Sequence, residues 1–305
     1  MCPAKPYCKK FWYKTYLERV KYLVRLPNHK KINDLALIGT HSSLSYDVND
    51  ERSKTQDMNI QQQLKYGVRV FDIGIRSESN LFEIYSNDVP TNIKFWDALF
   101  DFNHFLDNNP GEFIILFIRQ VYLLQYEITQ QNCDILNFYK ENFVGGKRLV
   151  KNWQLSDTIG QHRGKILLAS LDYSFYDCTL ILRGECLLQD DHVIYERTKV
   201  RRNLTAKWNS VYKTIQASYF ESYKCYINDI SYWDGINSRR VIARDGNYED
   251  DNRGCPMPLN YMMAQHFENP HSGLIIVMAD YPPQELIDKV NDSNFPNSSW
   301  RSGWE

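Results

Sequence analysis

The feature that most constrains the fold of this chain is an alternation of short apolar runs with longer amphipathic ones. Strand-like runs fall at Leu35–Gly39, Val68–Ile73, Leu81–Tyr85, Phe113–Ile118, Lys165–Ser170, Cys186–Gln189, Cys225–Ile230 and Leu274–Met278. Several are apolar on both faces, the pattern of parallel strands buried in a sheet. The amphipathic segments between them read as helices at Ile60–Tyr66, Phe95–Asn108, Val121–Phe143, Lys207–Tyr223, Tyr261–Phe267 and Glu285–Val290. Pro110-Gly111 stops the second of these and Gly145-Gly146 follows the third, both natural helix ends. Roughly eight strands with intervening helices predict a TIM-like (β/α) barrel of parallel strands. An open doubly wound sheet is the structural alternative. It is disfavoured because no Gly-rich phosphate fingerprint follows an early strand.

A length of 305 residues suits one such barrel, and no repeat, low-complexity stretch or linker divides it. One domain over 1–305 is expected, with its core at about 30–290 and short terminal extensions. An apolar content of 43% supports a packed core and excludes a disordered chain. Lys and Arg total 36 against 37 Asp and Glu, a net charge of -1. That balance gives no general attraction to nucleic acid, and a membrane contact would be peripheral at most. No apolar run is long enough to span a bilayer, and the N-terminus lacks the apolar stretch of a signal peptide. The cytoplasm is the default compartment, with secretion left open. The 7 cysteines, an odd number without a CxxC pair, argue against a zinc module and a complete disulfide framework. Most are expected to be small buried hydrophobes, with one or two bridges left open. Asn203, Asn291 and Asn297 each begin a glycosylation-type triplet. Nothing in the sequence specifies an oligomer.

In a parallel barrel, chemistry belongs where strands end. In strand order those points hold His41, Asp72, Ser86, Arg119, Asp172, the pair Asp190 and Asp191, Asn228 and Asp229, and Asp280. Polar groups at the ends of apolar strands are costly unless satisfied or used, so their convergence predicts a site at one rim. Strands one and eight adjoin in a closed barrel. His41 and Asp280 are therefore expected to meet as an imidazole oriented by a carboxylate, the usual form of a general base.

The residues then become recognisable. Leu-Ile-Gly-Thr-His41-Ser-Ser, followed by Gln61-Gln-Gln-Leu-Lys-Tyr-Gly-Val-Arg-Val-Phe-Asp72-Ile, resembles the opening of the phosphatidylinositol-specific phospholipase C X domain. The resemblance continues through Phe105-Leu-Asp-Asn-Asn-Pro-Gly-Glu-Phe-Ile-Ile, Arg163-Gly-Lys-Ile-Leu-Leu, Leu188-Gln-Asp190-Asp191, Tyr226-Ile-Asn-Asp-Ile-Ser and Ile-Val-Met-Ala-Asp280-Tyr-Pro. It is closer to the compact bacterial enzymes. The resemblance implies attack of an inositol 2-hydroxyl on the neighbouring phosphate. One aspartate-oriented histidine acts as base, a second as acid, and an arginine or a calcium ion neutralises the phosphate.

Carried over by position, the base half is present as His41 and Asp280, and Asp72 is kept. The acid half is not. Ser42 stands where an aspartate usually follows the first histidine, Ser86 where the second histidine belongs, and Gly74 where the arginine is expected. No acidic cluster is placed to hold calcium, so no metal or other cofactor is expected. Two replacements suggest themselves. Residues 72, 74 and 76 share one side of a strand, which makes Arg76 a candidate cation one layer above Gly74. His192, directly after Asp190-Asp191, is a candidate acid. His104 and His162 read as structural. Arg119 matches a basic residue that contacts the inositol ring or phosphate, with an internal ion pair as its alternative. Asp190 matches a position that binds inositol hydroxyls, with a turn-capping role as its alternative.

The resemblance therefore implies a phosphoric diester hydrolase fold with impaired catalysis that binds inositol phosphate or phosphoinositide head groups. One alternative is an active phosphodiesterase using His192 and Arg76. The other is a non-catalytic interaction scaffold, suggested by 21 tyrosines and the tail Trp300-Arg-Ser-Gly-Trp304.

Overall fold

A computed structural model describes residues 16–121, 129–190, 204–246, 257–268 and 271–295. In chain order its elements are β1 (Ala36–Thr40), α1 (Ile60–Tyr66), β2 (Val70–Glu78), β3 (Leu81–Ser86), β4 (Val89–Lys94) and α2 (Phe95–Asn108). Next come β5 (Ile114–Gln120), α3 (Thr129–Asn142), β6 (Leu149–Val150), α4 (Ile159–His162), β7 (Ile166–Ser170), β8 (Leu180–Ile181) and β9 (Leu187–Gln189). The last are α5 (Leu204–Phe220), β10 (Cys225–Asp229), α6 (Leu259–His266), β11 (Leu274–Ala279) and α7 (Gln284–Asp292).

The parallel path runs β6-β7-β5-β2-β1-β11-β10-β9, and β8 extends the same edge of β7 that β6 begins. Strand β1 lies between β2 and β11, so the first and last strands are neighbours, as a barrel requires and a doubly wound sheet does not. The β8 and β9 sides meet through an isolated bridge between Arg183 and Cys186.

Strand parity divides the core. Leu37, Val70, Ile115, Phe117, Leu167, Ile227, Ile276 and Met278 pack with one another and with Leu23, Ile32, Trp153 and Ile159, which plug the lower end. The alternate positions Ile38, Phe71, Ile73, Leu116, Leu168 and Val277 pack with the helix residues Leu64, Leu99, Phe102, Tyr139 and Leu286. One set fills the barrel and the other glues on the helices, which explains why the runs are apolar on both faces. Helix α1 begins with a reciprocal capping box between Asn59 and Gln62 and ends at Gly67, whose φ of 109° a side chain would resist. Asn291 donates to the Gly67 carbonyl and is buried, so it is not a glycan acceptor. Asn203 and Asn297 lie outside the described residues, as does the tail from Trp300 to Trp304.

Three expectations need correction. The run Leu81–Tyr85 forms a strand, but β3 pairs antiparallel with β2 and β4 as a hairpin rather than joining the parallel path. A five-residue apolar run does not encode strand direction, and the two-residue turn at Ser79 and Asn80, both at positive φ, forces the reversal. The helix expected from Val121 is described over Thr129–Asn142; Val121 itself is not helical and donates to the Ile75 carbonyl, and residues 122–128 lie outside the described ones. The cysteines are more than apolar filler: Cys133 is bonded to Cys178 and Cys186 to Cys225. Cys178 and Cys186 flank the β8 segment, so its two sides are tied covalently to α3 and to the start of β10. Among the described residues no helix is long and apolar enough to cross a membrane.

Candidate active site

The barrel-filling parity continues past the apolar layers into polar residues. On β2 it runs Val70, Asp72, Gly74, Arg76; on β5, Ile115, Phe117, Arg119; on β10, Ile227, Asp229; on β11, Ile276, Met278 and then Asp280. Position 41 follows Leu37 and Gly39 on the same side of β1. One face of the sheet therefore delivers its charged side chains to the carboxyl ends of the strands, on top of an apolar plug.

Register brings the base pair together. Thr40 is paired with Ala279, which places the next residues, His41 and Asp280, side by side. The His41 Nδ1 lies 2.9 Å from Asp280 Oδ1, and the side chains are 6% and 0% exposed. The backbone of His41 is pinned as well. Its N–H donates to the Ala279 carbonyl, and its own carbonyl accepts from Thr55 Oγ1 at 2.6 Å and Gln56 Nε2 at 2.9 Å. Asn260 donates to the carbonyls of Asp280 and Tyr281. Burial pulls the imidazole pKa down and is the largest single influence. The hydrogen bond and charge of Asp280, helped by Asp229 and Asp72, outweigh it and hold His41 above the ordinary histidine value. The arrangement can accept a proton at the Nε2 side while Asp280 fixes the ring.

Beside the base, on the adjoining strands β2 and β5, Asp72 and Arg119 form an ion pair, with Arg119 Nε 2.9 Å from Oδ1 and 3.2 Å from Oδ2. Ser42 binds both partners. Its backbone N–H donates to Asp72 Oδ2 at 2.9 Å, and its Oγ accepts from Arg119 Nη2 at 2.7 Å. Ser42 adopts φ 42°, a left-handed conformation uncommon for a residue with a side chain, and the two bonds offset its cost. Ser43 completes the frame, accepting from the Asp72 N–H and donating its own N–H to the Asp72 carbonyl.

Gly74 pairs with Arg119 across β2 and β5. A Cβ at Gly74 would lie 3.3 Å from Arg119 Cζ, 2.7 Å from the Tyr85 carbonyl oxygen and 2.8 Å from the Val121 side chain. The space that a side chain at 74 would enter is thus filled by neighbours, and one of them is a guanidinium.

The remaining expected residues are spread further apart. Arg76 is buried, stacked on the Tyr85 ring at 4.0 Å, with Nη2 on Asp88 at 3.1 Å and Nε on the Val121 carbonyl. These partners tie it to the β2–β3 hairpin and to the end of β5. Ser86 is also buried and donates to the Ser53 carbonyl, tying the hairpin to segment 50–57. Asp190 stands at the end of β9 with Arg183 at 3.7 Å. His192 and Asp191 lie outside the described residues. Asp172 caps the short turn Tyr173–Phe175, and Asn228 points outward to α5, donating to the Val211 carbonyl. His162 bonds Asp157, and His104 lies on the exposed face of α2. Among the described residues no group of three or more His, Cys, Asp or Glu is gathered to hold a metal.

Sequence reasoning missed Thr55, Gln56 and Asn260, which bind backbone carbonyls and carry no motif. It also missed Arg239, a fully buried side chain with Nη1 3.5 Å from Asp280 Oδ2.

No family model matches the chain. It is nevertheless similar to the 1-phosphatidylinositol phosphodiesterase of Listeria monocytogenes, with 28% identity covering 95% of this chain and 91% of that protein. It is also similar to the human PI-PLC X domain-containing protein 2, with 27% identity over 38% of this chain and 47% of that protein. Its structure superposes on the phosphatidylinositol-specific phospholipase C from Listeria monocytogenes with a TM-score of 0.68 and 21% identity, covering 91% of this chain and 99% of that one. For the Staphylococcus aureus phosphatidylinositol-specific phospholipase C the TM-score is 0.72 at 19% identity, covering 91% and 98% of the respective chains. In sequence and in barrel architecture alike, the chain is similar to the bacterial phosphatidylinositol-specific phospholipases C.

Proposed function

We propose that this protein binds a phosphorylated inositol head group at the barrel mouth and turns over phosphatidylinositol only very slowly. The observation that carries this reading is the asymmetry of the mouth. On one wall the His41–Asp280 pair is intact at 2.9 Å. On the other, the positions expected to carry an acid, its carboxylate partner and a cation hold Ser86, Ser42 and Gly74. Loss of a general acid costs about 10²–10⁴-fold. Loss of a donor to developing charge costs about 10²–10³-fold. Residues that act as a unit do not give additive losses, so the product of the two is an upper bound.

Binding asks less of the site than catalysis does. Arg119 faces the mouth with a side chain 29% exposed, braced by Asp72 and Ser42. A planar guanidinium held in this way is well suited to a phosphate oxygen pair. The Arg119 guanidinium beside Gly74 also supports a second reading, in which it takes over phosphate neutralisation and allows slow cyclisation driven by His41. The two disulfides favour an oxidising compartment over the cytoplasm as the place of action.

Isothermal titration with inositol 1-phosphate tests the reading. Wild-type protein is expected to bind, and Arg119→Gln to weaken binding by about tenfold or more, the value of a charge-assisted contact. Absence of binding to the wild type, or unchanged affinity in the variant, would reject it.

A further inference from the structure

Behind Asp280, on the side away from His41, lies Arg239. Both side chains are 0% exposed, and Arg239 Nη1 is 3.5 Å from Asp280 Oδ2 while His41 holds Oδ1. Arg239 is fixed by its Nε, which donates to the Arg52 carbonyl at 2.6 Å. It lies two residues before the π-helical turn Val241–Asp245. An aspartate–histidine pair orients its own imidazole and needs no second cation. Burying a guanidinium is costly unless it is compensated, so a fully buried one at this place calls for a reason.

The chemistry supplies one. A buried carboxylate beside an imidazole can itself take the proton, because desolvation penalises the charged form of each. A fixed cation against the outer carboxylate oxygen removes that option. It also competes with the imidazole for the same negative charge, which limits how basic the ring becomes.

We propose that Arg239 is a positioning residue that shares the Asp280 carboxylate with His41, holding its outer oxygen while the imidazole holds the inner one, and so limits how basic His41 becomes. The proposal rests on the reading of His41 and Asp280 as a base pair, and it is independent of turnover. The charges facing His41 come from several elements. Asp280 after β11, Asp229 on β10 and Asp72 on β2 favour the imidazolium. Arg119 on β5 lies beyond Ser42 and Asp72, and Lys207 on α5 bonds the Asp229 carbonyl. These two cations and Arg239 oppose it, and only Arg239 is paired with the other oxygen of the orienting carboxylate.

The test is an NMR titration of the His41 ring nitrogens in the full chain. Removing the cation in Arg239→Gln is expected to raise the His41 midpoint by about one unit, a tenfold rise in proton affinity. Arg239→Lys keeps the charge and should return the midpoint close to wild type, a rescue that a purely structural role does not predict. An unmoved midpoint in a folded Gln variant overturns the proposal, as does a Lys variant shifted as far as Gln. Should Arg239→Gln not fold, the Arg239 Nε–H resonance of the wild type serves instead. A step at the His41 midpoint supports the coupling, and a flat response refutes it. Failure to bind inositol 1-phosphate would sink the functional reading while leaving this titration intact.

Discussion

Two arginine–carboxylate pairs are anchored three residues apart, at Arg69 just before β2 and at Asp72 near its start, and the two differ in what surrounds them. At the closed end, Arg69 lies 2.9 Å from Glu112, both 0% exposed. Arg69 also donates to the carbonyls of Leu64, Val68 and Val20 and lies over the rings of Tyr22 and Phe105. Glu112 in turn accepts the N–H groups of Leu23 and Val24. That cluster ties the N-terminal segment, β2 and the start of β5 into one block, and its chemistry is consumed by the fold. At the mouth, Arg119 binds Asp72 and Ser42 with its side chain 29% exposed. The same type of ion pair is a bolt where every donor is turned inward and, in the proposed reading, a recognition device where one face meets water.

The contrast predicts different responses to equivalent substitutions. Glu112→Gln leaves a buried guanidinium without its counter-charge and should cost about 3–5 kcal/mol of stability by chemical denaturation. Arg119→Gln, at a pair whose arginine is partly exposed, should cost less, about 1–3 kcal/mol in the same experiment. Equal losses at the two sites would erase the distinction. Placing at position 74 the arginine that the resemblance leads one to expect sharpens it from the other side. Gly74→Arg must displace the Tyr85 carbonyl and the Val121 side chain, so it is expected to destabilise by about 1–3 kcal/mol without restoring phospholipase turnover. Recovery of turnover would show that the mouth had lost one residue rather than been rebuilt.

The smallest expected effect is on pH dependence. His41 has its pKa raised in the folded protein, so the folded state binds the proton more tightly than the unfolded one. Its contribution to stability is complete below the unfolded value of about 6.5 and is lost as pH rises through the folded value. Denaturation midpoints of the wild type should therefore decline across that window relative to His41→Gln. An identical pH profile in the two proteins would separate His41 from the Asp280 charge.

Much of this was legible before any coordinates. Strands apolar on both faces announced a parallel barrel, and the parity of residues 72, 74 and 76 correctly placed them on one side of β2. Parity says which side a residue takes, not how far its side chain reaches. Asp88 and the Tyr85 ring draw Arg76 to the hairpin, and both belong to a reversal that the apolar run 81–85 does not announce. The left-handed Ser42, the crowding at Gly74 and the burial of Arg239 have no local sequence signature, because each is created by residues distant in the chain. The disulfides were equally hidden, since cysteine spacing does not encode connectivity.

The measurement closest to the centre of the account is the release of cyclic inositol phosphate from phosphatidylinositol in mixed micelles, followed by phosphorus NMR beside a bacterial phosphatidylinositol-specific phospholipase C. With the base retained and the acid and its partners replaced, release should be at least about a thousandfold slower than in that enzyme, and the residue should vanish in His41→Ala. Release at a comparable rate would contradict the account and mean that groups outside the Ser42, Gly74 and Ser86 positions supply the acid and the cation.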